Sequence, residues 1–554
     1  MAEACRARLV APRRSANLRA VKTTRALESQ RELLLSLAVL FVLGYAWMPT
    51  AGVSCPNERS RIYLAVSLVD QHTVTIDVPL RRFGSIFDMA QWNGHFLTDK
   101  APGSSLLAAA VYGTCRLFRP ASAFSIEELL TLMRRSIMLP IGVLGFLLFR
   151  RLARQLDMPE QVVHFVSLAW ILGSAAAHAS AALVGHQMVS VCLLAALLLI
   201  MQVERQLHQV DGCGPPARLW PQCLGAGLIA GFSVLTEYQS AVPFGLLALY
   251  TLAGPLRRRL TLSLWLVLGT LPGALGLLIY NKLAFGGFFE VSYSHLVNPG
   301  LQQLHGQGIG GVKLPRLPYA KGALVSWHRG LLTTSPFFLL VAPGLVALWR
   351  RGLRRLALLL GTCVAYYVLF VCSTEIWFAG WGFGPRLMVP MMGLAALSAG
   401  FGLASLRSGW TRGVAVGLCL WGILYTQTAN AVFPELPERF TNPLPDILLP
   451  ALQAGALVPN LATRLLGWHG LPSLLPLVLV LLLLVVPALF RFATSTRGLR
   501  ARLLLGLSSA ATIGLLLLLV RLSGPGATPA STERHIQWTR QLLVDEAALW
   551  KRAL

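Results

Sequence analysis

Long, nearly uninterrupted apolar runs constrain the fold of this chain more than any other feature. Residues 473–490 (SLLPLVLVLLLLVVPALF) and 503–520 approach the roughly 20-residue length that a bilayer-spanning helix requires. About a dozen such runs recur along the chain, and a soluble fold could not bury all of them. Only 13% of the residues are charged, against roughly 25% in an ordinary soluble domain. The sequence therefore predicts an all-α, polytopic transmembrane helical bundle.

The basic residues orient this bundle. The chain has 48 Lys and Arg against 23 Asp and Glu, a formal net charge of +25, which in a soluble protein would suggest nucleic-acid binding. Here the clusters, such as Arg257–Arg259 and Arg497–Arg502, stand between apolar runs, where cytoplasmic loops carry Lys and Arg. We therefore expect no nucleic-acid partner. The nine cysteines form no C-x-x-C pair and no zinc spacing.

Alternating the basic clusters across the membrane predicts about thirteen spans, with the N-terminus inside and the C-terminus outside. They fall near residues 33–48, 134–149, 162–178, 180–203, 222–236, 239–254, 260–280, 329–348, 356–372, 387–405, 413–429, 471–490 and 503–521. The apolar segment 104–118 is short, and a crossing there would place Arg150 and Arg151 outside. We expect a half-helix or interfacial segment, with a true second span as the alternative.

This topology predicts four regions: a basic cytoplasmic N-terminus (1–32), a catalytic transmembrane module (33–405), C-terminal transmembrane helices (406–522) and an external tail (523–554) with an amphipathic helix on the membrane. The first external loop, 49–103, is long and is expected to contain short interfacial helices. The other external segments are 281–328, 373–386 and 430–470. We expect the chemistry in these polar segments.

The first external loop has the densest set of chemically capable side chains. Carboxylates supply acid/base groups and cations bind phosphate; the candidates are Glu58, Arg61, Tyr63, Asp77, His95, Asp99 and Lys100. Lys100 opens an apolar segment, where an ammonium can meet a lipid phosphate; a snorkelling lysine is the alternative. Asp77 and His95, with Asp99, are possible ligands of a divalent metal, although their spacing is not diagnostic and a metal-free site fits equally well. The bland alternative is a solvated loop.

Further candidates lie at predicted outer helix ends. An ionisable residue beside an apolar run is a functional candidate, and His186 and Glu237 meet this description, with a solvated turn as the alternative. Trp377 and Trp381 are candidates to stack on sugar faces and Arg386 to bind phosphate, although tryptophans at a membrane interface often serve as anchors.

Two motifs in the first loop carry a resemblance. Asn57–Tyr63 (NERSRIY) and Asp99–Pro102 (DKAP) resemble the first loop of lipid-linked-sugar-dependent glycosyltransferases of the GT-C class, which begins with an acidic pair followed by Arg and Tyr and, in the aminoarabinose transferases, ends in an acidic-Lys-Pro motif. Here Asn57 stands at the first acidic position, and one residue is inserted before Pro102. Three later segments also resemble bacterial members: Tyr280–Gly286, Ser335–Phe337 and Trp377–Arg386.

The resemblance implies a membrane glycosyltransferase of the cell envelope that transfers a hexosyl or pentosyl group from a polyprenyl-phosphate carrier, with inversion. The partners would be the lipid-linked sugar, membrane lipids and an acceptor lipid, glycan or protein on the extracytoplasmic face of a bacterial cytoplasmic membrane. Lys100 would hold the carrier phosphate with Arg386, Glu58 would be the preferred base, and Asp99 a second catalytic carboxylate.

Two other functions remain open from the sequence. A lipid or solute transporter, or flippase, would need ionisable groups near the bilayer midplane and often repeated halves, whereas the polar residues here cluster outside. A catalytically inactive relative that only binds lipid carriers is the other, because Asn57 replaces an acidic residue.

Overall fold

The computed structural model describes residues 28–46, 55–210, 219–252, 256–308 and 310–553, without the side chains of 208–210, 256–258 and 542–553. The described chain is mostly helical. Its only sheet is a two-stranded antiparallel hairpin of β1 (Met89–Trp92) and β2 (His95–Thr98).

The helices of the first half of the chain include those of the first loop. They are α1 (28–43), α2 (Pro56–Asp70), α3 (Asp77–Phe83), α4 (Gly103–Arg116), α5 (Ile126–Met133), α6 (Leu139–Gln155), α7 (Glu160–Leu172), α8 (Ala175–Ala179), α9 (Gly185–Val210), α10 (Trp220–Thr236), α11 (Ala241–Leu252) and α12 (Leu256–Phe285).

The second half of the chain is also largely helical. Its helices are α13 (Pro299–His305), α14 (Leu317–Val325), α15 (Leu331–Thr334), α16 (Val341–Arg350), α17 (Arg354–Cys372), α18 (Val389–Ser405), α19 (Gly409–Val432), α20 (Leu449–Gln453), α21 (Leu461–Leu466), α22 (Leu475–Thr494), α23 (Leu499–Leu522) and α24 (Pro529–Ala553).

The expected membrane bundle is confirmed. Each of the thirteen predicted spans overlaps a helix. Among the described residues, 7 helical stretches are long and apolar enough to cross a bilayer: Ile126–Gln155, Gly185–Leu207, Arg259–Phe285, Arg354–Cys372, Arg386–Ser405, Leu471–Thr494 and Leu499–Leu522. The total of thirteen stays a prediction. The segment 104–118 forms α4, whose 14 residues reach about 21 Å at 1.5 Å per residue, short of a hydrocarbon core of about 30 Å.

The first loop is packed into the protein rather than solvated. Pro56 starts α2, where its missing N–H costs nothing, and most of the helix is buried. Apolar side chains of α2, such as Ile62 and Leu64, share a core with Tyr112 of α4 and Leu129 of α5. The same helix carries Glu58 and Arg61, so its polar side chains are drawn into the interior.

Two π-turns interrupt helices in the described part of the chain. One, Arg134–Met138, joins α5 to α6, and the other, Leu444–Leu448, precedes α20. Each is followed within two residues by a proline, Pro140 or Pro450. A proline ring clashes with the carbonyl four residues earlier, so a wider turn relieves the contact and lets the helix continue.

Small residues bring α10 and α12 into close contact. A Cβ added at Gly273 would lie 2.2 Å from the carbonyl carbon of Gly231, and one at Gly227 would lie 2.0 Å from the Leu266 oxygen. Only glycine permits this separation, which is a usual way for helices to associate within a membrane.

The tail helix α24 contacts the protein through its first half. Asp446 in the second π-turn accepts the amide of Gly526 at 2.6 Å, and Thr532 donates to the Asp446 carbonyl at 2.6 Å. Ile536 is buried in the same region. The expected tail helix is present, and its contact with the membrane surface stays a prediction.

Candidate functional site

The first turn of α2 places Glu58 in a fully buried position. Its Oε1 accepts a hydrogen bond from Arg134 Nε at 2.9 Å and another from the Leu183 amide at 2.6 Å. Its Oε2 accepts from the second terminal nitrogen of the same guanidinium. The side chain is 0% exposed. A buried carboxylate needs such partners. Three hydrogen bonds therefore engage both oxygens of Glu58, and the side chain has no exposed surface.

One helical turn later, Arg61 joins three elements. Its Nε donates to Asn57 at 2.9 Å, its Nη2 to Glu237 at 2.7 Å, and its Nη1 to Ser104. His186 Nδ1 lies 3.8 Å from the same Glu237 oxygen. The structure therefore brings together Arg61, Glu237 and His186, which the sequence proposed from separate segments.

Lys100 lies between two carboxylates of the first loop. Its Nζ is 2.9 Å from Asp88 and 2.6 Å from Asp99, and Ser60 donates to Asp99 at 3.3 Å. Burial opposes the charge on Lys100, but the two carboxylates outweigh it and raise its pKa. Burial raises the pKa of Asp99, against the influence of Lys100. Lys100 is thus a protonated cation within a buried group of acids.

Two arginines, the buried Arg329 and the half-buried Arg386, are held by carbonyl groups rather than by carboxylates. Arg386 donates to the carbonyls of Ala379 and Trp381, the latter at 3.3 Å, and Nη1 lies 3.7 Å from Cys55 Sγ. Arg329 donates to the carbonyls of Gly380 and Leu436, at 2.8 and 3.0 Å. Within the described ranges, the Nε atoms of both have no hydrogen-bond partner. Glu435 is near enough to act on both charges, but the hydrogen bonds of the two guanidinium groups go to neutral acceptors, which leaves donors for an anionic ligand.

The glycines of the WFAGWGFGPR segment make this arrangement possible. Gly382 and Gly384 have φ of 139° and 66°, a region that L side chains rarely adopt. The segment therefore turns back on itself, and its carbonyls meet the arginine that follows. This signal is visible in the sequence as alternating glycines before Arg386.

The predicted aromatic residues take different positions. Trp377 packs against Gly322 and meets His328 edge-on at 6.3 Å. Trp381 is 38% exposed and lies edge-on to Trp538. Tyr63 is fully buried, and its hydroxyl donates to the Gly84 carbonyl at 2.9 Å, so it ties α2 to the end of α3.

Asp77 and His95 lie together, as a pair. Asp77 Oδ2 is 2.9 Å from His95 Nδ1, and its Oδ1 accepts from the Phe96 amide at 2.9 Å, which connects α3 to the hairpin. Within the described ranges, no group of three or more His, Cys, Asp or Glu side chains is placed to hold a metal ion. A divalent metal at Asp77 and His95 stays a prediction, and we derive no step through it.

A small cavity beside Arg134, the partner of Glu58, is lined by residues that the sequence did not single out. It measures about 60 Å³ and is lined by Val42, Leu43 and Leu139 on its apolar side and by Arg134, Arg135, His178 and Glu435 on its polar side. Burial, followed by repulsion from Glu58, raises the pKa of Glu435 to about 7. Nothing in the local sequence marks Arg134 or Glu435, because neither belongs to a motif.

No protein-family model matches the sequence, and no curated protein sequence matches it either. Solved structures do resemble it. ArnT from Cupriavidus metallidurans, bound to undecaprenyl phosphate, has 17% identity over 88% of this chain and 78% of its own, with a TM-score of 0.46. An oligosaccharyltransferase from Archaeoglobus fulgidus has 13% identity over 72% and 54%, with a TM-score of 0.45.

Arabinosyltransferase EmbB from Mycobacterium smegmatis has 11% identity over 88% of this chain and 40% of its own, with a TM-score of 0.40. This chain thus spans about half the length of the oligosaccharyltransferase and less than half that of EmbB. At these identities and TM-scores, the likeness assigns no substrate or activity to this chain.

Proposed function

We propose that this protein is a membrane glycosyltransferase that moves a sugar from a polyprenyl-phosphate carrier to a hydroxyl acceptor on the extracytoplasmic face. One observation carries the proposal: in the described part of the chain, first-loop carboxylates and the largely buried Lys100 lie near arginines that donate to carbonyl oxygens rather than to carboxylates. A lipid-linked sugar phosphate needs apolar helices for its tail, cations for its phosphate and a carboxylate for the acceptor proton.

The phosphate is the part of the donor with the clearest counterpart. Among the described residues, Arg386 and Arg329 donate to carbonyl oxygens rather than to carboxylates, and guanidinium groups bind phosphate oxygens in pairs of parallel hydrogen bonds. Lys100 also binds the phosphate in this proposal, and to do so it gives up its contact with one of the two neighbouring carboxylates. Asp88 is the better partner to release, because it is 17% exposed whereas Asp99 is 3% exposed.

The proposed reaction is a single displacement. The acceptor hydroxyl loses its proton to a carboxylate, its oxygen bonds to the anomeric carbon, and the bond from that carbon to the phosphate oxygen breaks. Polyprenyl phosphate leaves with the electron pair, and the anomeric centre is inverted. The acceptor is a lipid, glycan or protein hydroxyl. Glu58 and Asp99 are the first-loop carboxylates proposed for the site.

A transporter receives less support from the buried charges. The pair Glu204–Arg259, with Nη2 and Oε2 3.0 Å apart, lies at the ends of α9 and α12 beside basic residues of the predicted cytoplasmic side. An ion pathway would instead need such groups near the bilayer midplane.

The test uses purified protein in liposomes with undecaprenyl phosphate linked to mannose, glucose, arabinose or aminoarabinose. Release of undecaprenyl phosphate is measured for the wild type, Glu58→Gln and Lys100→Ala. We expect release by the wild type and losses of about 100-fold or more in both variants, as for removal of a transition-state charge partner.

Lys313→Ala is the matched control, because Lys313 is a 16% exposed lysine paired with Glu375 in another external segment, and Lys100 is also 16% exposed. It should release the carrier at the wild-type rate. Wild-type rates in both site variants would overturn the site. No release from any donor, together with passage of a labelled carrier lipid across the bilayer, would favour the transporter.

A further inference from the structure

Glu58 is poorly arranged to take a proton from a substrate. Its oxygens are occupied by Arg134 and the Leu183 amide, and its side chain is 0% exposed. Breaking this pair would leave an uncompensated buried charge, which is costly. The geometry suits a carboxylate that holds an arginine in place.

Glu435 has the opposite arrangement in the same region. It follows the end of α19 and is 2% exposed. Its Oε1 is 3.7 Å from His178 Nε2, and its Oε2 is buried and has no hydrogen-bond partner among the residues that the structure describes. Glu435 also lines the cavity beside Arg134. A buried oxygen that lacks a partner is costly and is common where a ligand completes the site.

The backbone around Glu435 is fixed from several directions. The Leu436 carbonyl accepts from the Gly382 amide at 3.2 Å and from Arg329 at 3.0 Å. Val458 donates to the Val432 carbonyl at 3.1 Å. The carboxylate is therefore held on a rigid support, as a group that must meet a reacting atom requires.

We infer that Glu435, and not Glu58, accepts the proton of the acceptor hydroxyl, and that Glu58 is a positioning residue that holds Arg134 at the cavity. The inference rests on the proposed function. In the step, the hydroxyl proton passes to Glu435 Oε2, the freed oxygen bonds to the anomeric carbon, and polyprenyl phosphate leaves. Glu435 then returns the proton to water.

The charges around Glu435 agree with this role. A general base works best with a pKa near the working pH, and burial together with Glu58 brings the pKa of Glu435 to about 7. The titratable and charged groups that face the carboxylate or share its cavity are Cys55, Glu58, Arg134, Arg135, His178, Arg329 and Arg386.

The experiment is a pH–rate profile between pH 5 and 9 with the undecaprenyl-phosphate sugar that the wild type uses. The wild-type kcat/KM should rise with pH and level off above an inflection near 7. Glu435→Gln should lose about 10²- to 10⁴-fold and its rise with pH. Glu435→Asp should keep the rise at a reduced rate.

Glu58→Gln separates the two roles. If Glu58 only positions Arg134, the variant loses rate but keeps the rise, and the inflection moves to lower pH because the repulsion that Glu58 exerts on Glu435 has gone. Glu438→Gln is the matched control, since Glu438 is an exposed glutamate three residues further on. Its profile should match the wild type.

An infrared titration of the same proteins gives a readout that does not need turnover. The wild type should show a carboxyl band that disappears near pH 7 and that Glu435→Gln lacks. If Glu435→Gln keeps this band, or keeps the wild-type rate and inflection, the assignment of the base to Glu435 is wrong and the proposed function still stands. Loss of the rise with pH in Glu58→Gln would return the role to Glu58. No turnover by the wild type with any donor overturns the proposed function, and this assignment with it.

Discussion

The guanidinium of Arg134 binds both oxygens of Glu58 across 76 residues of sequence, with Nε and Oε1 2.9 Å apart. The pair connects the first external loop to the π-turn between α5 and α6. The π-turn therefore holds the first loop in place and also forms part of the wall of the cavity that Arg134 lines.

Arg134→Met removes the partner of a carboxylate that has no access to solvent. We expect a loss of about 3–5 kcal/mol in the free energy of unfolding, seen as a lower Tm in detergent. Arg134→Met with Glu58→Gln should recover part of the loss. The control is Arg119→Met, which removes an exposed pair with Glu128 and should leave Tm nearly unchanged. Equal effects at Arg134 and Arg119 would contradict the role of the buried pair.

Glu435 should make stability depend on pH. Its folded-state pKa of about 7 is above the ordinary value of 4.5, so the folded chain favours the protonated form. The stability it contributes is complete below pH 4.5 and is lost as the pH rises to about 7, on the order of 3 kcal/mol. Glu435→Gln should therefore melt higher than the wild type at pH 8, with the gap closing towards pH 5. A gap that is constant with pH would refute this linkage.

The glycine contact between α10 and α12 should tolerate no side chain. Gly273→Ala places a methyl group against the Gly231 backbone, and overpacking of this kind costs about 1–3 kcal/mol. The control is Gly245→Ala in α11, where a Cβ meets no atom within 4 Å. That variant should be neutral or slightly more stable, because alanine favours the helix. Similar thermal unfolding of the two variants would argue against close packing.

The predicted orientation can be tested by labelling. His95 is 62% exposed, so His95→Cys should react with a membrane-impermeant maleimide added outside sealed right-side-out vesicles. Arg151→Cys, on the predicted cytoplasmic side, should react only after the vesicles are opened. The seven native cysteines in the described ranges are buried or half-buried, which keeps the background low. The reverse pattern of labelling would invert the topology.

The sequence alone determined the class of fold, and it singled out the first-loop residues as candidates for the site. Apolar runs of spanning length leave few structures open to a chain in lipid, so helices lie at each of the predicted spans. Acidic residues are scarce in this chain, which drew attention to Glu58, Asp99 and their neighbour Lys100. Their motifs also carried the resemblance to GT-C glycosyltransferases.

Only the tertiary structure decided which carboxylates are taken up by hydrogen-bond partners and which keep an oxygen for a substrate. Glu58 looks like the better base in the sequence, yet folding pairs it with Arg134, and in the described part of the chain it leaves one oxygen of Glu435 without a hydrogen-bond partner. No local pattern predicts this, because the partners are far apart in the chain. The pKa of a carboxylate depends on burial and on the charges that packing brings near it, and both exist only once the helices have assembled.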